Sequence, residues 1–269
     1  MKTIPLFWWS EVRLMHKQRE NYGDLLSKYI IENFTEKPIK WIHPKKQRWY
    51  NYSKINYLSI GSIIHHSTQN SIVWGSGIID NIQEVENADF RAVRGPQTRK
   101  FLIDKGYNCP EIYGDPALLL PDFYNPKVKT KYKLGIIPHY NDFDEILNKY
   151  GECDDVKIID MMTLDVEKTT NEILECNQIV SSSLHGVIVS HAYGIPALWI
   201  KFSDKPFGND IKYKDYYDSI QIFDYKSPVY ETSMLVKDLL AFFEINCNLP
   251  DKNIIKQLKS GLIESCPFN

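Results

Sequence analysis

The sequence predicts an α/β fold made of two successive halves, each of which alternates short apolar strands with helices. Residues 177–200, NQIVSSSLHGVIVSHAYGIPALWI, hold a strand, a helix and a strand, which requires a parallel pair with a crossover. Residues 121–133, PDFYNPKVKTKYK, interrupt the alternation with two prolines and four lysines and form the predicted linker. We therefore expect domains at 1–122 and 123–269, whose strand ends face each other across a cleft.

The first half begins with an apolar strand and then has a long polar stretch, residues 10–22, that we expect to be a loop. The predicted strands are residues 4–9, 57–64, 71–74, 90–94 and a short one at 112–113, and the predicted helices are residues 24–34 and 97–105. Asn21 and Asp24 supply a turn and a helix cap. Turn and cap chemistry alone could account for Asn21 and Asp24 at these positions, and both are also candidate substrate-binding residues.

The second half repeats the alternation and ends in two amphipathic helices. The predicted strands are residues 134–137, 156–160, 178–181, 197–200 and 220–222. The predicted helices are residues 141–150, 166–176, one opening at residue 185, and 232–243 and 252–263. The final helix is expected to pack back on the first half.

Composition narrows the class of protein. The net charge of −2 indicates no nucleic-acid footprint. Aromatic residues make up 13% of the chain, which fits sugar-facing surfaces and aromatic-rich cores equally. Five scattered cysteines without a CxxC motif favour a reducing compartment. The apolar run at the N-terminus is too short for a signal peptide or a membrane span. We expect a cytoplasmic protein.

The turn SSSLHG carries the clearest chemical signal. Hydroxyls and free backbone N–H groups at a helix start suit a phosphate or a carboxylate. Ser181, Ser182, Ser183, Leu184 and Gly186 are therefore candidate substrate-binding residues. His185 can exchange protons near neutral pH, although a lone buried histidine is more often a packing residue.

Other polar groups stand at predicted strand ends, where ligands gather in open α/β sheets. They are Gly75, Ser76, Gly77 and Arg94 in the first half and His139 and Lys201 in the second. Arg94 can grip a phosphate or a carboxylate with its guanidinium fork. His185 and His191 are six residues apart on a helix and do not converge, so no metal site is expected. No GxSxG elbow surrounds Ser183, which argues against a serine nucleophile.

Seven motifs together resemble the polysaccharide pyruvyltransferase family over nearly the whole chain. They are WGSG, AVRGPQTR, YGDPALLLP, IIPHY, SSSLHG, YGIPALWI and KYKDYYDS, in that order. The resemblance implies a GT-B-like pair of Rossmann-like domains, with the acceptor on the first and the donor on the second. It also implies transfer of the enolpyruvyl group of phosphoenolpyruvate onto two sugar hydroxyls, giving a pyruvate ketal and phosphate. In the family a histidine and an arginine are taken as catalytic, and they match His185 and Arg94.

One departure from the family concerns charge at the turn. Some members carry arginine two places before the histidine, where this chain has Ser183. Substrate charge would then be met by Arg94, the helix N-terminus and Lys201 or Lys212. The chain is also short for the family, which predicts fewer acceptor-recognition insertions.

The implied partners are phosphoenolpyruvate as co-substrate, no separate cofactor, and a glycan acceptor. The acceptor is a cell-surface polysaccharide, such as a capsule or exopolysaccharide, or its lipid-linked precursor at the inner face of the membrane. Two alternatives stay open: a GT-B glycosyltransferase using a nucleotide sugar, and a non-catalytic sugar-phosphate-binding protein. Asp204, Lys205 and residues 212–215 are the candidate nucleotide contacts of the first alternative.

Overall fold

A computed structural model describes residues 3–47, 53–205, 208–246 and 248–268. It is a mixed α/β structure with two parallel sheets. The strands are β1 (Ile4–Phe7), β2 (Glu20–Asn21), β3 (Ile39–Trp41), β4 (Asn56–Leu58), β5 (Ser71–Trp74), β6 (Asp89–Ala92), β7 (Tyr132–Ile137), β8 (Val156–Ile158), β9 (Met162–Thr163), β10 (Cys176–Ser181) and β11 (Ala197–Trp199).

Helices alternate with these strands and cover the sheets. They are α1 (Glu11–Leu14), α2 (Tyr22–Phe34), α3 (Pro96–Asp104), α4 (Leu120–Phe123), α5 (Phe143–Tyr150), α6 (Val166–Leu174), α7 (Leu184–Ala192), α8 (Ile211–Ser219), α9 (Val236–Ile245) and α10 (Lys252–Glu264). Short 3₁₀ helices cover Pro44–Lys46, Ile64–His66 and Pro116–Leu119. In the described ranges, no helix is both long and apolar enough to cross a membrane.

The first sheet has the strand order β3-β1-β4-β5-β6, and its pairs are parallel. Strand β1 lies between β3 and β4. Its apolar sequence fits a strand that is covered on both faces, as is usual in parallel sheets. Leu6 and Phe7 in β1 are fully buried. The second sheet has the order β11-β10-β7-β8 and is also parallel.

The strand–helix–strand unit predicted at residues 177–200 is confirmed. β10 pairs in parallel with β11, with Val180 opposite Leu198, and α7 forms the crossover between them. Residues 184–191 of α7 are all buried. A helix that is apolar all round belongs inside a protein rather than on its surface. This burial fixes the start of α7, and with it His185.

Contacts outside the two parallel sheets also join the halves. β2 pairs antiparallel with β9, so that Glu20 lies opposite Thr163. The C-terminal helix α10 packs on the first half, where the Trp74 indole Nε1 donates a 2.9 Å hydrogen bond to the Leu262 carbonyl. Residues from both halves also share one hydrophobic core cluster.

Several predicted elements are wrong or displaced. Residues 10–22 are not a loop throughout, because they contain α1, whose first turn the Ser10 side chain caps, and β2. The strand predicted at 220–222 is absent, since Ile220 is the C-cap of α8. The strand predicted at 57–64 ends at Leu58, and the one at 112–113 is reduced to an isolated bridge between Val93 and Tyr113. Within the predicted linker, only residues 124–131 lie between α4 and β7.

Candidate functional site

A cavity of about 570 Å³ opens where the carboxyl ends of both sheets meet. Its first-half wall follows β1, β4 and β5, and its second-half wall follows β7 and β10. The predicted site residues that line it are Asn21, Asp24, His139, Ser182, Ser183, Leu184, His185 and Lys212. The cavity is large enough for a small ligand together with a sugar ring.

His185 lies in the first turn of α7 and is held against the start of α2. Its side chain is only 11% exposed. A Cβ atom on Gly23 would lie 2.0 Å from the imidazole Nδ1, so only glycine lets α2 approach this ring. The other nitrogen, Nε2, lies 3.4 Å from Oδ2 of Asp115. Neither of these two buried atoms has a hydrogen-bond partner in the described part of the chain.

Asp115 is held by the turn that follows the Val93–Tyr113 bridge. Its Oδ1 accepts a 3.0 Å hydrogen bond from the backbone N–H of Ala117 and caps the 3₁₀ helix that Pro116 begins. Its Oδ2 is left facing His185. A carboxylate beside an imidazole holds the ring in position. The sequence did not single out Asp115 as a site residue, so this partner of His185 was missed.

The second-half wall supplies positive charge. Lys212 projects from the first turn of α8, and within the described residues no carboxylate lies at ion-pair distance from its ammonium group. Burial, followed by the charge of Arg94, lowers the pKa of Lys212 to about 8. Ser183 is the N-cap of α7 but its side chain makes no capping hydrogen bond, which leaves first-turn N–H groups for a ligand. This corner suits an anion.

His139 borders the same corner as a neutral donor. Burial, followed by the charge of Lys212, lowers the pKa of His139 to about 4. The Asn141 backbone N–H donates a 3.3 Å hydrogen bond to Nδ1 of the ring. A neutral imidazole that accepts at Nδ1 carries its proton on Nε2. His139 can therefore donate one hydrogen bond to an oxygen of the ligand without adding charge.

The first-half wall is acidic. Glu11 is 5% exposed and Asp24 borders the cavity without a hydrogen bond or an ion pair in the described ranges. Burial, followed by the charges of Glu11 and Glu20, raises the pKa of Asp24 to about 8. Asp24 is thus largely protonated at neutral pH.

Arg94, predicted as a second catalytic residue, does not line the cavity. Its side chain is fully buried, and its Nε lies 3.0 Å from Oδ2 of Asp215 in α8. Its other nitrogens donate to the Ser62 hydroxyl, at 2.7 Å, and the Ile78 carbonyl, at 2.6 Å. A Cβ atom on Gly77 would lie 2.4 Å from the guanidinium carbon, so Gly77 makes room for it. In this arrangement Arg94 ties α8 to the first half.

The comparison with protein families matches residues 7–204 to the model of the polysaccharide pyruvyl transferases. The chain belongs to the polysaccharide pyruvyl transferase family. The family indicates a transferase that places a pyruvyl group on a polysaccharide. A relative in Acanthamoeba polyphaga mimivirus, described as an uncharacterised protein, is 32% identical over 205 residues, which are 73% of this chain and 69% of the relative.

The remaining predicted site residues form the frame around the cavity and do not line it. The Ser181 hydroxyl accepts from the Ser183 N–H at 2.9 Å and shapes the turn before α7. The Ser76 hydroxyl donates to the Gly61 carbonyl at 2.8 Å. Lys201 pairs with Asp204 and Asp210. Gly75 and Gly186 are in tight contact with Pro116 and Ser181, respectively. A direct substrate contact by these residues remains a prediction.

The cavity also contains residues that the sequence did not single out as site residues. They include Trp9, Glu11, Asp80, Gln83 and Tyr140, while Lys205 was predicted only as a nucleotide contact of the glycosyltransferase alternative. The sequence offered a signal for three of them, because Trp9 ends a predicted strand and Glu11 and Tyr140 come within three residues after one. Across the described ranges, no three His, Cys, Asp or Glu side chains are arranged to hold a metal ion. The expectation of no metal stays a prediction.

Proposed function

We propose that this family member transfers the enolpyruvyl group of phosphoenolpyruvate onto two hydroxyls of one sugar. The observation that carries the proposal is a buried histidine–carboxylate pair in the same cavity as a lysine without a carboxylate partner. Phosphoenolpyruvate carries a carboxylate and a phosphate, and both groups favour cations and N–H donors. Lys212, the first turn of α7 and His139 provide such donors.

The reaction requires two carbon–oxygen bonds to form and one to break. The first sugar hydroxyl adds to C2 of phosphoenolpyruvate and loses its proton, while the double-bond electrons take a proton at C3 and make a methyl group. The second hydroxyl then bonds to C2 as the C2–O bond to phosphate breaks. The proton of this second hydroxyl leaves with the phosphate. The products are a cyclic ketal and inorganic phosphate.

We assign the proton delivered to C3 to His185. Asp115 holds the ring and stabilises the imidazolium, as carboxylates do for catalytic histidines. General acid catalysis of this kind contributes ~10²–10⁴ to the rate. Arg94 is a positioning residue in this proposal, because it lies outside the cavity lining and each of its three nitrogens already donates a hydrogen bond, to Asp215, Ser62 or Ile78.

We also propose how the two halves divide the binding of donor and acceptor. Two Rossmann-like domains, 1–122 and 123–269, would form a GT-B-like pair with the acceptor on the first and the donor on the second. The acidic and cationic walls support that division. The acceptor would be a cell-surface polysaccharide or its lipid-linked precursor, modified in the cytoplasm at the inner face of the membrane.

A binding panel tests the donor. Phosphoenolpyruvate should raise the melting temperature of the protein, whereas a panel of nucleotide sugars should not. Stabilisation by a nucleotide sugar alone would contradict the proposal and favour a glycosyltransferase.

A phosphate-release assay tests turnover. With phosphoenolpyruvate and a glycoside panel, His185→Asn should release phosphate at least ~10²-fold more slowly than wild type. His16→Asn, on the exposed surface, is the matched control and should keep full activity. Equal activities in folded His185→Asn and His16→Asn proteins would remove His185 from the mechanism.

A further inference from the structure

The cavity has two walls of different chemistry, and only one of them suits the anionic donor. The second-half wall carries Lys212, which has no carboxylate within ion-pair distance in the described ranges, and Lys205, which pairs with Asp142 and Glu145. The first-half wall carries Trp9, Glu11, Asp24 and Asp80. The ammonium group of Lys212 therefore attracts the anionic donor to the second-half wall. The acceptor is therefore left with the aromatic and acidic one.

Trp9 gives this wall a rigid apolar surface. Its indole stacks on His66, with ring centroids 5.9 Å apart and an interplanar angle of 30°. Burial, followed by the charges of His65 and His43, lowers the pKa of His66 to about 3, so the supporting imidazole is neutral. The indole Nε1 also donates a 3.2 Å hydrogen bond to Oε1 of Glu11. A fixed indole that borders a cavity suits the apolar C–H face of a sugar ring.

Asp80 and Gln83 supply polar groups beside this aromatic surface. Oδ1 of Asp80 accepts from the backbone N–H groups of Ile82, at 2.9 Å, and Gln83, at 2.8 Å. Its Oδ2 has no hydrogen bond within the described residues. The Gln83 side-chain Nε2 is buried and equally lacks an acceptor there. An acceptor and a donor without partners on one wall match hydroxyl groups, which both donate and accept.

The charge of this wall selects among sugars. Lys17 lies 2.9 Å from Oε2 of Glu11 and offsets that carboxylate. Asp24 and Asp80 have no such cation within ion-pair distance in the described ranges. The pKa of Asp24 is raised to about 8 because burial and neighbouring carboxylates disfavour negative charge on this wall. A sugar carboxylate or phosphate placed against this wall would meet the carboxylate of Asp80 and the poorly solvated surface beside Asp24, and both disfavour a further negative charge.

We infer that the wall of Trp9, Asp80 and Gln83 is the acceptor subsite and that it takes an uncharged sugar ring in preference to an acidic sugar. Trp9 stacks on the ring, and Asp80 and Gln83 bind its hydroxyls. This inference rests on the proposed function, because the donor must occupy the opposite wall.

Ligand-observed NMR tests the inference as binding, independently of turnover. The probes are methyl β-D-glucoside, methyl β-D-galactoside and the methyl glycosides of the two matching uronic acids, each with phosphoenolpyruvate present. At least one neutral glycoside should bind ~10-fold or more tightly than its uronide. Asp80→Asn should narrow that ratio, and Asp104→Asn, an exposed carboxylate on α3, is the control. Equal binding of each neutral and acidic pair, or no binding of either neutral glycoside, would overturn the inference.

The indole is tested by Trp9→Phe and Trp9→Ala. Loss of the ring should weaken the neutral glycoside by ~10-fold, and the phenyl ring should retain part of the affinity. Retention of the phosphoenolpyruvate-induced melting shift shows that a variant is folded and that the donor wall is intact. Unchanged sugar binding in Trp9→Ala would overturn the inference while leaving the donor proposal standing. Loss of the donor shift in wild type would instead refute the proposed function.

Discussion

At the residue scale, the pairing of His185 with Asp115 depends on two local features. Gly23 allows α2 to contact the imidazole, and the cap on Ala117 occupies only one oxygen of Asp115. The other oxygen faces Nε2 at 3.4 Å. Hydrogen bonds between catalytic residues are often this long before substrate binds and shorten in the substrate complex.

We predict that Asp115→Asn lowers kcat by more than ~10-fold with little change in the KM for phosphoenolpyruvate. The amide keeps the cap on the 3₁₀ helix but removes the charge that stabilises the imidazolium. Steady-state phosphate release measures both constants. Asp104→Asn is the control, and a rise in KM without a fall in kcat would contradict the assigned role.

Lys212 makes donor binding depend on pH. Its pKa is lowered to about 8, so its ammonium form dominates below that pH and the neutral amine above it. The KM for phosphoenolpyruvate should therefore rise as pH increases through about 8. Lys212→Met should have a high KM at every pH, whereas Lys214→Met, two residues along α8 and exposed, should behave as wild type. A pH-independent KM in wild type would contradict this prediction.

The raised pKa of Asp24 makes the protein less stable as pH rises, whereas a salt-bridged carboxylate makes a protein more stable as pH rises. Its pKa is raised from 3.8 to about 8, so the folded state holds a proton that the unfolded chain releases. The stability that this proton contributes is complete below about pH 3.8 and is lost as pH rises to about 8.

Asp24→Asn should therefore raise the melting temperature at pH 8 and leave it unchanged near pH 3.8. Each kcal/mol corresponds to ~2–4 °C in chains somewhat smaller than this one. Thermal melts of both proteins across this range measure the difference. A variant less stable than wild type at pH 8 would contradict the raised pKa.

At the scale of elements, α8 is fixed to the first half by an ion pair buried on both sides. Asp215 also accepts from the backbone N–H of Thr98, at 2.9 Å, and from the Thr98 hydroxyl, at 2.6 Å. The same helix carries Lys212 into the cavity. The Arg94–Asp215 pair therefore positions Lys212, although neither residue of the pair lines the cavity.

Removing one partner leaves a buried charge unpaired, so Asp215→Ala should lower the free energy of unfolding by about 3–5 kcal/mol. The double variant Arg94→Met with Asp215→Leu should recover much of that loss, because neither charge then remains. Urea denaturation measures both effects. Full stability of Asp215→Ala would show that the pair does not hold α8.

Prediction from sequence succeeded for elements with one dominant signal. The apolar run of α7 between two β-rich segments determined the unit at residues 177–200. It failed for α1, which is only four residues long and is stabilised by the Ser10 cap and tertiary contacts. It also failed for residues 220–222, whose apolar pattern continues the buried end of α8.

At the scale of the whole molecule, the site exists only because two halves meet. Asp115 and His185 are 70 positions apart in the sequence, and no local pattern reports their contact. His185 was predicted from its helix start and lines the cavity, whereas its contact with Asp115 was not foreseen. Arg94 was predicted to bind substrate from its strand-end position, and its ion pair with Asp215 was not foreseen.

The C-terminal helix should stabilise the first half through Trp74. Leu262→Ala removes apolar side-chain contacts around the Trp74–Leu262 link, and the residue is fully buried. We expect a loss of about 2–5 kcal/mol in the free energy of unfolding. Urea denaturation measures it, and Ile263→Ala, at a partly exposed neighbouring position, is the control.

The central claim is that His185 delivers a proton to C3 of phosphoenolpyruvate during transfer to a sugar. The most direct test is the reaction with an acceptor glycoside in heavy water, with the product analysed by mass spectrometry and NMR. We expect a glycoside heavier by one pyruvic acid less one water, with at least one deuterium in its methyl group. Formation of this product should fall in His185→Asn but not in His16→Asn. A ketal methyl group without deuterium, or a glycoside that gains no pyruvyl group, would rule out this role of His185 or the reaction itself.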